Sequence, residues 1–197
     1  MGQYYIPYVK SGNKTKVFDN KVDGDYNGLK LMEHSYWGNL FVGNVINEIY
    51  NNKSHVCWVG DYYDEDNYSQ VNCEDKELVK KIGHRVWGKG AKIEPSHKKT
   101  SLDLNHKYLV NHTKHIYIDC DEYYNQNKWF EEWNGKKYPC CINPLPLLTC
   151  SASHSGGSYY GINREECGTW FNDLIEVIDN GTDMTGYTKV EYRFSEH

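Results

Sequence analysis

Two stretches of this sequence repeat one pattern, and the pattern restricts the chain to architectures built on a sheet. "QYYIPYVKSGNKTKVFDN" sets a Ser-Gly-Asn turn between two runs of strand formers, and "KYLVNHTKHIYIDCD" does the same with its turn at Asn111 to Thr113. Each reads as a β-hairpin. Both return arms open on Thr-Lys and close on an acid, Thr15-Lys16 to Asp19 and Thr113-Lys114 to Asp119. Downstream of each hairpin lies a Trp-x-x-Asp element followed by strand formers, Trp58 with Asp61 and Trp170 with Asp173. The expected fold is α+β: a mixed or antiparallel sheet built from two diverged hairpin-connection-strand halves, with helices packed on one face. The chain reads as a single domain, 1–197, with an internal duplication of 1–66 and 106–197 around a charged insert, 67–105. Trp58 and Trp170 are expected as buried counterparts, in a core with Phe41, Val45, Ile46, Ile118 and Ile175.

Composition fits this reading. Eighteen Tyr and six Trp suit strands whose rings pack inward while hydroxyls reach water. Charged residues make up 25% and hydrophobic ones 39%, which excludes the disordered class. Nineteen Lys against three Arg, with nineteen Asn, point to AT-rich codons and so to a low-GC bacterium or its phage. "MGQYYIPYV" lacks the basic start and apolar core of a secretory signal, and seven cysteines, an odd number, suit reduced thiols. A cytoplasmic protein without a membrane span is expected.

The connections carry the candidate chemistry. After "GLKLMEHSYWGN", Leu40, Phe41, Val45, Ile46 and Ile49 recur at helical spacing, with Ser35 as the expected N-cap. Glu33 and His34 then stand where free amides favour anionic groups. In the second half, Pro144 and Pro146 argue against a regular helix in "NPLPLLT", and Ser155-Gly156-Gly157-Ser158 forms a loop beside His154. A small-ligand enzyme would draw its catalytic groups from Glu33, His34, Asp61 and His154. Ligand contacts would come from His34, Tyr36, Trp37, Asn39, Tyr62, Asp64, His112, Gly156 and Gly157. Neither phosphate-binding fingerprint is present, and no cofactor is expected.

The blocks "MGQYY", "GLKLMEHSYWGN", "WVGDYYD", "KYLVNHTKHIYID" and "NPLPLLT", in this order, resemble a family of small bacterial and phage-borne proteins to which no activity is attached. The resemblance spans both halves and leaves the charged middle unmatched. Where such proteins carry a loop richer in glycine and with an arginine, this chain has "CSASHSGGSYYG".

The middle separates charge. Residues 61–75 hold six acids and no Lys or Arg, whereas 76–99 hold seven Lys and one Arg against two acids. "KELVKKIGHRVWGKG" reads as a short helix with Leu78, Val79 and Ile82 inward. Lys80, Lys81, Arg85 and Lys89, with Trp87 as a stacking ring, would form a nucleic-acid patch, against which stand a net charge of −5 and the scarcity of Arg. Cys140, Cys141, Cys150 and His154 lack the spacing of a closed metal site, so no metal is expected. Cys150 as a nucleophile, with His154 or His112 as base, is the thiol alternative. The leading reading is a non-enzymatic binding or inhibitor protein, phage or mobile-element borne, that engages a host or defence-system protein through aromatic anchors. The small-ligand enzyme and the nucleic-acid binder are the alternatives.

Overall fold

The computed structural model describes residues 4–19, 30, 35–61, 63, 76–87, 94–95, 102–151 and 165–194. In chain order the elements are β1 (Tyr5–Ser11), β2 (Lys14–Asp19), α1 (Leu40–Ile49), β3 (Ser54–Gly60), α2 (Lys76–Trp87), β4 (Glu94–Pro95) and β5 (Lys107–Asn111). Then follow β6 (Ile116–Asp119), α3 (Cys120–Asn127), β7 (Trp129–Trp133), β8 (Lys136–Cys140), α4 (Pro144–Thr149), β9 (Leu174–Asp179) and β10 (Thr188–Lys189). The fold is α+β, as the sequence predicts.

Eight strands form one mixed sheet in the order β10-β6-β5-β9-β3-β1-β2-β4, and β7-β8 form a separate two-stranded sheet. The large sheet has the same plan from either edge. A two-residue strand lies parallel to the outer arm of a hairpin, the inner arm pairs with a later strand, and β3 meets β9 antiparallel at the centre. The two hairpins thus occupy related positions, as expected. The second turn is longer than the sequence reading has it. Asn111 pairs with Ile116, so Thr113 and Lys114 belong to a four-residue loop and not to the return arm.

The connections continue this pattern. α1 is capped by Asn39, whose side chain accepts from the amides of Phe41 and Val42, and α4 by Asn143, which accepts from Leu145. Ser35, expected as the cap, is instead held in extended chain: its carbonyl accepts from Asn143 N at 2.8 Å while Trp37 N donates to Cys141 O at 2.7 Å. After each helix the chain adds to the far half of the sheet, Tyr50 bridging Val177 and Cys150 bridging Trp58. Pro144 and Pro146 do not prevent a helix, because they fall in its first turn, where amides have no intrahelical acceptor.

One face of the sheet carries Tyr5, Val9, Val56, Trp58, Leu109, Ile118, Ile175 and Val177, and α1, α3 and α4 pack against it. Phe41, Val45, Ile46, Ile118 and Ile175 are all buried, as predicted. Trp58 and Trp170 are both fully buried, but they are not counterparts: Trp58 lies within β3, whereas Trp170 lies in the turns before β9.

The expectation of helices on one face is corrected by α2. β1 and β3 are apolar on both sides, so Ile6, Tyr8, Val17, Cys57 and Val59 need a second cover, which Val79, Ile82 and Val86 of α2 supply. Gly83 lets Tyr63 lie against this helix: a Cβ there would clash with Cδ2 and Cγ of the Tyr63 ring. In an exposed helix, Gly→Ala stabilises by about 1 kcal/mol. Here Gly83→Ala is expected to destabilise by about 1–2 kcal/mol, because the ring must leave its site. Urea denaturation of Gly83→Ala, Tyr63→Ala and the double variant checks this; the double variant should be more stable than Tyr63→Ala alone.

Candidate functional site

Sequence reasoning gathered its enzyme site from both halves. Glu33, His34, Tyr62, Asp64, His154, Gly156, Gly157 and Lys89 lie outside the described residues. Asp61 ties the end of β3 to the chain before β1, its Oδ1 accepting from Tyr4 N at 3.2 Å and its amide donating to Tyr4 O at 2.9 Å. His112 lies at the other end of the sheet, its amide donating to Leu174 O, and Leu174 pairs with His55 at the start of β3. Asp61 lies six residue steps beyond His55, about 20 Å at a strand's rise. Asp61 and His112 therefore do not share a cleft.

Tyr36, Trp37 and Asn39 are structural. Tyr36 bridges Ile142 and its ring lies 6.2 Å from that of Trp129, while Asn39 is the α1 cap. Trp37 stacks near Tyr123 at 6.2 Å, meets Tyr124 at 5.1 Å and donates Nε1–H to Asn105 Oδ1 at 3.1 Å. Trp87 is no free stacking ring: its indole donates to Val59 O at 3.0 Å and packs on the second core. Lys81 and Arg85 are exposed, and Lys80 is half-buried.

His112 anchors a polar network at the β5–β6 loop. Its side chain is 11% exposed, with Nε2 2.8 Å from Glu176 Oε2 and Nδ1 2.6 Å from the Tyr187 hydroxyl. Burial is the main influence on the ring and lowers its pKa below the usual histidine value, although Glu176 pulls the other way. The neutral ring donates from Nε2 to the carboxylate and accepts at Nδ1 from the phenol, which satisfies all three groups. Beside it Asn111, fully buried, donates to Asp173 Oδ2 at 2.7 Å and accepts from Lys114 N at 3.0 Å. Lys114 also donates to Thr169 O. These contacts fasten the loop to β9 and to the chain before it.

The sign of the pH effect follows. Because the folded pKa lies below the unfolded value of about 6.5, protons bind the unfolded chain first as pH falls, so this group's contribution is complete above about pH 7 and lost on acidification. His112→Gln should flatten the fall in Tm between about pH 7.5 and 5.5, and the difference between the two pH profiles measures the histidine's share.

Among the described cysteines all but Cys140 are buried. Cys150 is fully buried and lies 3.0 Å from Leu147 O, and burial pushes Cys141 up to about 12, so neither supplies a thiolate nucleophile. Among the described residues, no group of three His, Cys, Asp or Glu side chains is placed to hold a metal ion, and no helix is long and apolar enough to cross a membrane.

The feature that sequence reasoning missed is the β7–β8 hairpin. It is exposed along both strands, and it presents Phe130 at 60%, Trp133 at 73% and Tyr138 at 50% exposure. Asn134 and Gly135 close it with φ of 51° and 72°, the paired positive values of a type I′ turn. The signal was present: Asn-Gly between strand formers in "WFEEWNGKKYPC" is the strongest short-range mark of a hairpin. No protein-family model, curated protein or solved structure matches the chain.

Proposed function

We propose that this chain is a non-enzymatic binding protein that captures a protein partner on the β7–β8 hairpin. The observation that carries the reading is the exposure of three large aromatic residues on a two-stranded sheet of its own. Exposed Trp, Tyr and Phe bury much area at low entropic cost and are common interface anchors. The resemblance to phage-borne proteins makes a host or defence component the natural partner.

The hairpin's chemistry narrows the mode. The two-residue loop makes Trp133 and Lys136 a hydrogen-bonded pair, so the amides of Phe130 and Glu132 point outward along the β7 edge. On the β8 edge the outward positions are Lys137 and Pro139, and since Pro139 has no amide hydrogen that edge keeps a single outward donor. β7 is therefore the edge open to an added strand. It carries Glu131 and Glu132 beside Phe130 and Trp133, which favours an extended partner segment that is apolar and basic.

A photo-crosslinking residue at Leu40, exposed on α1, and one at Glu131 allow the contact to be mapped in a bacterial host. Crosslinks from Glu131 to an extended segment are expected, and Glu132→Pro should abolish them, since it removes an edge donor at a pair that makes no bond within the hairpin. Lys137→Pro, on the already blunted edge, should leave them intact. Equal loss in both variants, or crosslinks to nucleic acid, overturns the reading.

A further inference from the structure

A second site lies on the opposite side of the large sheet and does not depend on the hairpin. A cleft of about 200 Å³ opens between α2 and the sheet, lined by Tyr8, Lys10, His55, Leu78, Lys81, Ile82, Arg85 and Asn172. Strand alternation builds its floor. Ile6, Tyr8 and Lys10 share the face toward α2, as do His55, Cys57 and Val59, so the apolar surface gives way to Lys10 and His55 where β1 and β3 run beyond the cover of the helix. Helical spacing builds the wall, with Lys81 and Arg85 one turn apart and Leu78 and Ile82 one turn apart beside them.

Among the described residues no carboxylate lines the cleft, although the protein carries a net charge of −5. Elsewhere lysines meet acids: Lys16 with Glu48, Lys107 with Asp179, Lys189 with Glu122. Lys10, Lys81 and Arg85 have no such ion pair among the described residues. Three like charges converging on a concave surface repel one another, and an anion in the cleft removes that cost. The guanidinium is already positioned, its Nη1 donating to the Tyr8 hydroxyl at 3.3 Å. His55 Nδ1 lies 2.8 Å from Asn172 O, which commits that nitrogen as a donor and leaves Nε2 as the ring's other polar atom.

We infer that this cleft binds the phosphoryl group of a small phosphate monoester. Arg85 supplies a planar fork suited to two phosphate oxygens, Lys10 and Lys81 supply point charges, and Leu78 and Ile82 give the ester's body an apolar wall. The volume is below the roughly 300 Å³ at which sites for drug-sized ligands begin, which restricts the ligand to a small ester.

Isothermal titration at fixed ionic strength with glycerol phosphate, inorganic phosphate and a single-stranded oligonucleotide tests this. Glycerol phosphate should bind with saturable heat, inorganic phosphate more weakly, and Arg85→Gln and Lys81→Gln should each weaken the ester at least tenfold. Their Tm without ligand should be no more than a degree or two below that of the parent, since both side chains are exposed and each substitution also relieves repulsion within the cluster. Unchanged ester affinity in both variants places the anion elsewhere and overturns the inference. Binding of the oligonucleotide with none of the ester replaces it with a polynucleotide surface, and absence of heat with all three probes reduces the cleft to a solvated face.

Discussion

Replacing Trp170 with alanine should lower the unfolding free energy by about 4 kcal/mol and the Tm by roughly 10 °C. The indole is fully buried, it packs edge-on against Tyr192 at 5.9 Å, and its Nε1–H donates to the Tyr192 hydroxyl at 2.9 Å. Alanine would leave a cavity and remove one of the hydrogen-bond partners of the Tyr192 phenol. The other buried tryptophan provides the control. Trp58 meets Phe41 edge-on at 5.6 Å, but its Nε1 has no hydrogen-bond partner among the described residues. Trp58→Ala should cost about 1 kcal/mol less than Trp170→Ala, because the cavity is similar but no hydrogen bond is lost. The phenylalanine variants should separate: Trp170→Phe loses a hydrogen bond worth about 1 kcal/mol, whereas Trp58→Phe removes an orphan donor and recovers part of its packing loss. Urea denaturation of the four variants measures this, and equal losses in the two phenylalanine variants would count against the hydrogen-bond assignment.

The double variant Phe130→Ala/Trp133→Ala should lower affinity for the crosslinked partner about a thousandfold, at about 2 kcal/mol for each anchor, while the Tm stays within a degree or two. Both rings are mostly exposed in the free protein, so truncating them opens no cavity. Surface plasmon resonance with the mapped partner segment, alongside a thermal melt, separates recognition from folding. A matching loss of Tm would mean that the rings support the hairpin itself and that the affinity change is indirect.

What was legible in the sequence follows from period and turn chemistry. Unbroken runs of strand formers in "YIPYVKS" and "KYLVN" mark inner arms whose neighbours are set by short loops, and the stripe of Phe41, Val45, Ile46 and Ile49 marks α1. α4 was hidden because proline is read as a breaker, although in the first turn of a helix it removes no bond. That α2 turns Val79 and Ile82 inward is legible from their spacing, but the face of the sheet it covers is not. Only the two-sided burial of β1 and β3 reveals that Val79, Ile82 and Val86 are needed as a cover. The anion cleft was less legible still, since Lys10, His55 and Arg85 come from three elements and only the register of β1 on β3 brings them together.

The exchange of short segments across the sheet also governs how the chain reaches this state. Tyr50 bridges a residue 127 positions later and Trp58 one 92 positions later, so each half is completed by chain from the other. On a ribosome, β1, β2 and β3 can pair early, but the central edge of β3 stays open until Cys150 and Leu174 have emerged. During that interval an apolar, two-faced sheet lacks its central neighbour, which makes the nascent protein a substrate for chaperones and its truncated products prone to aggregation.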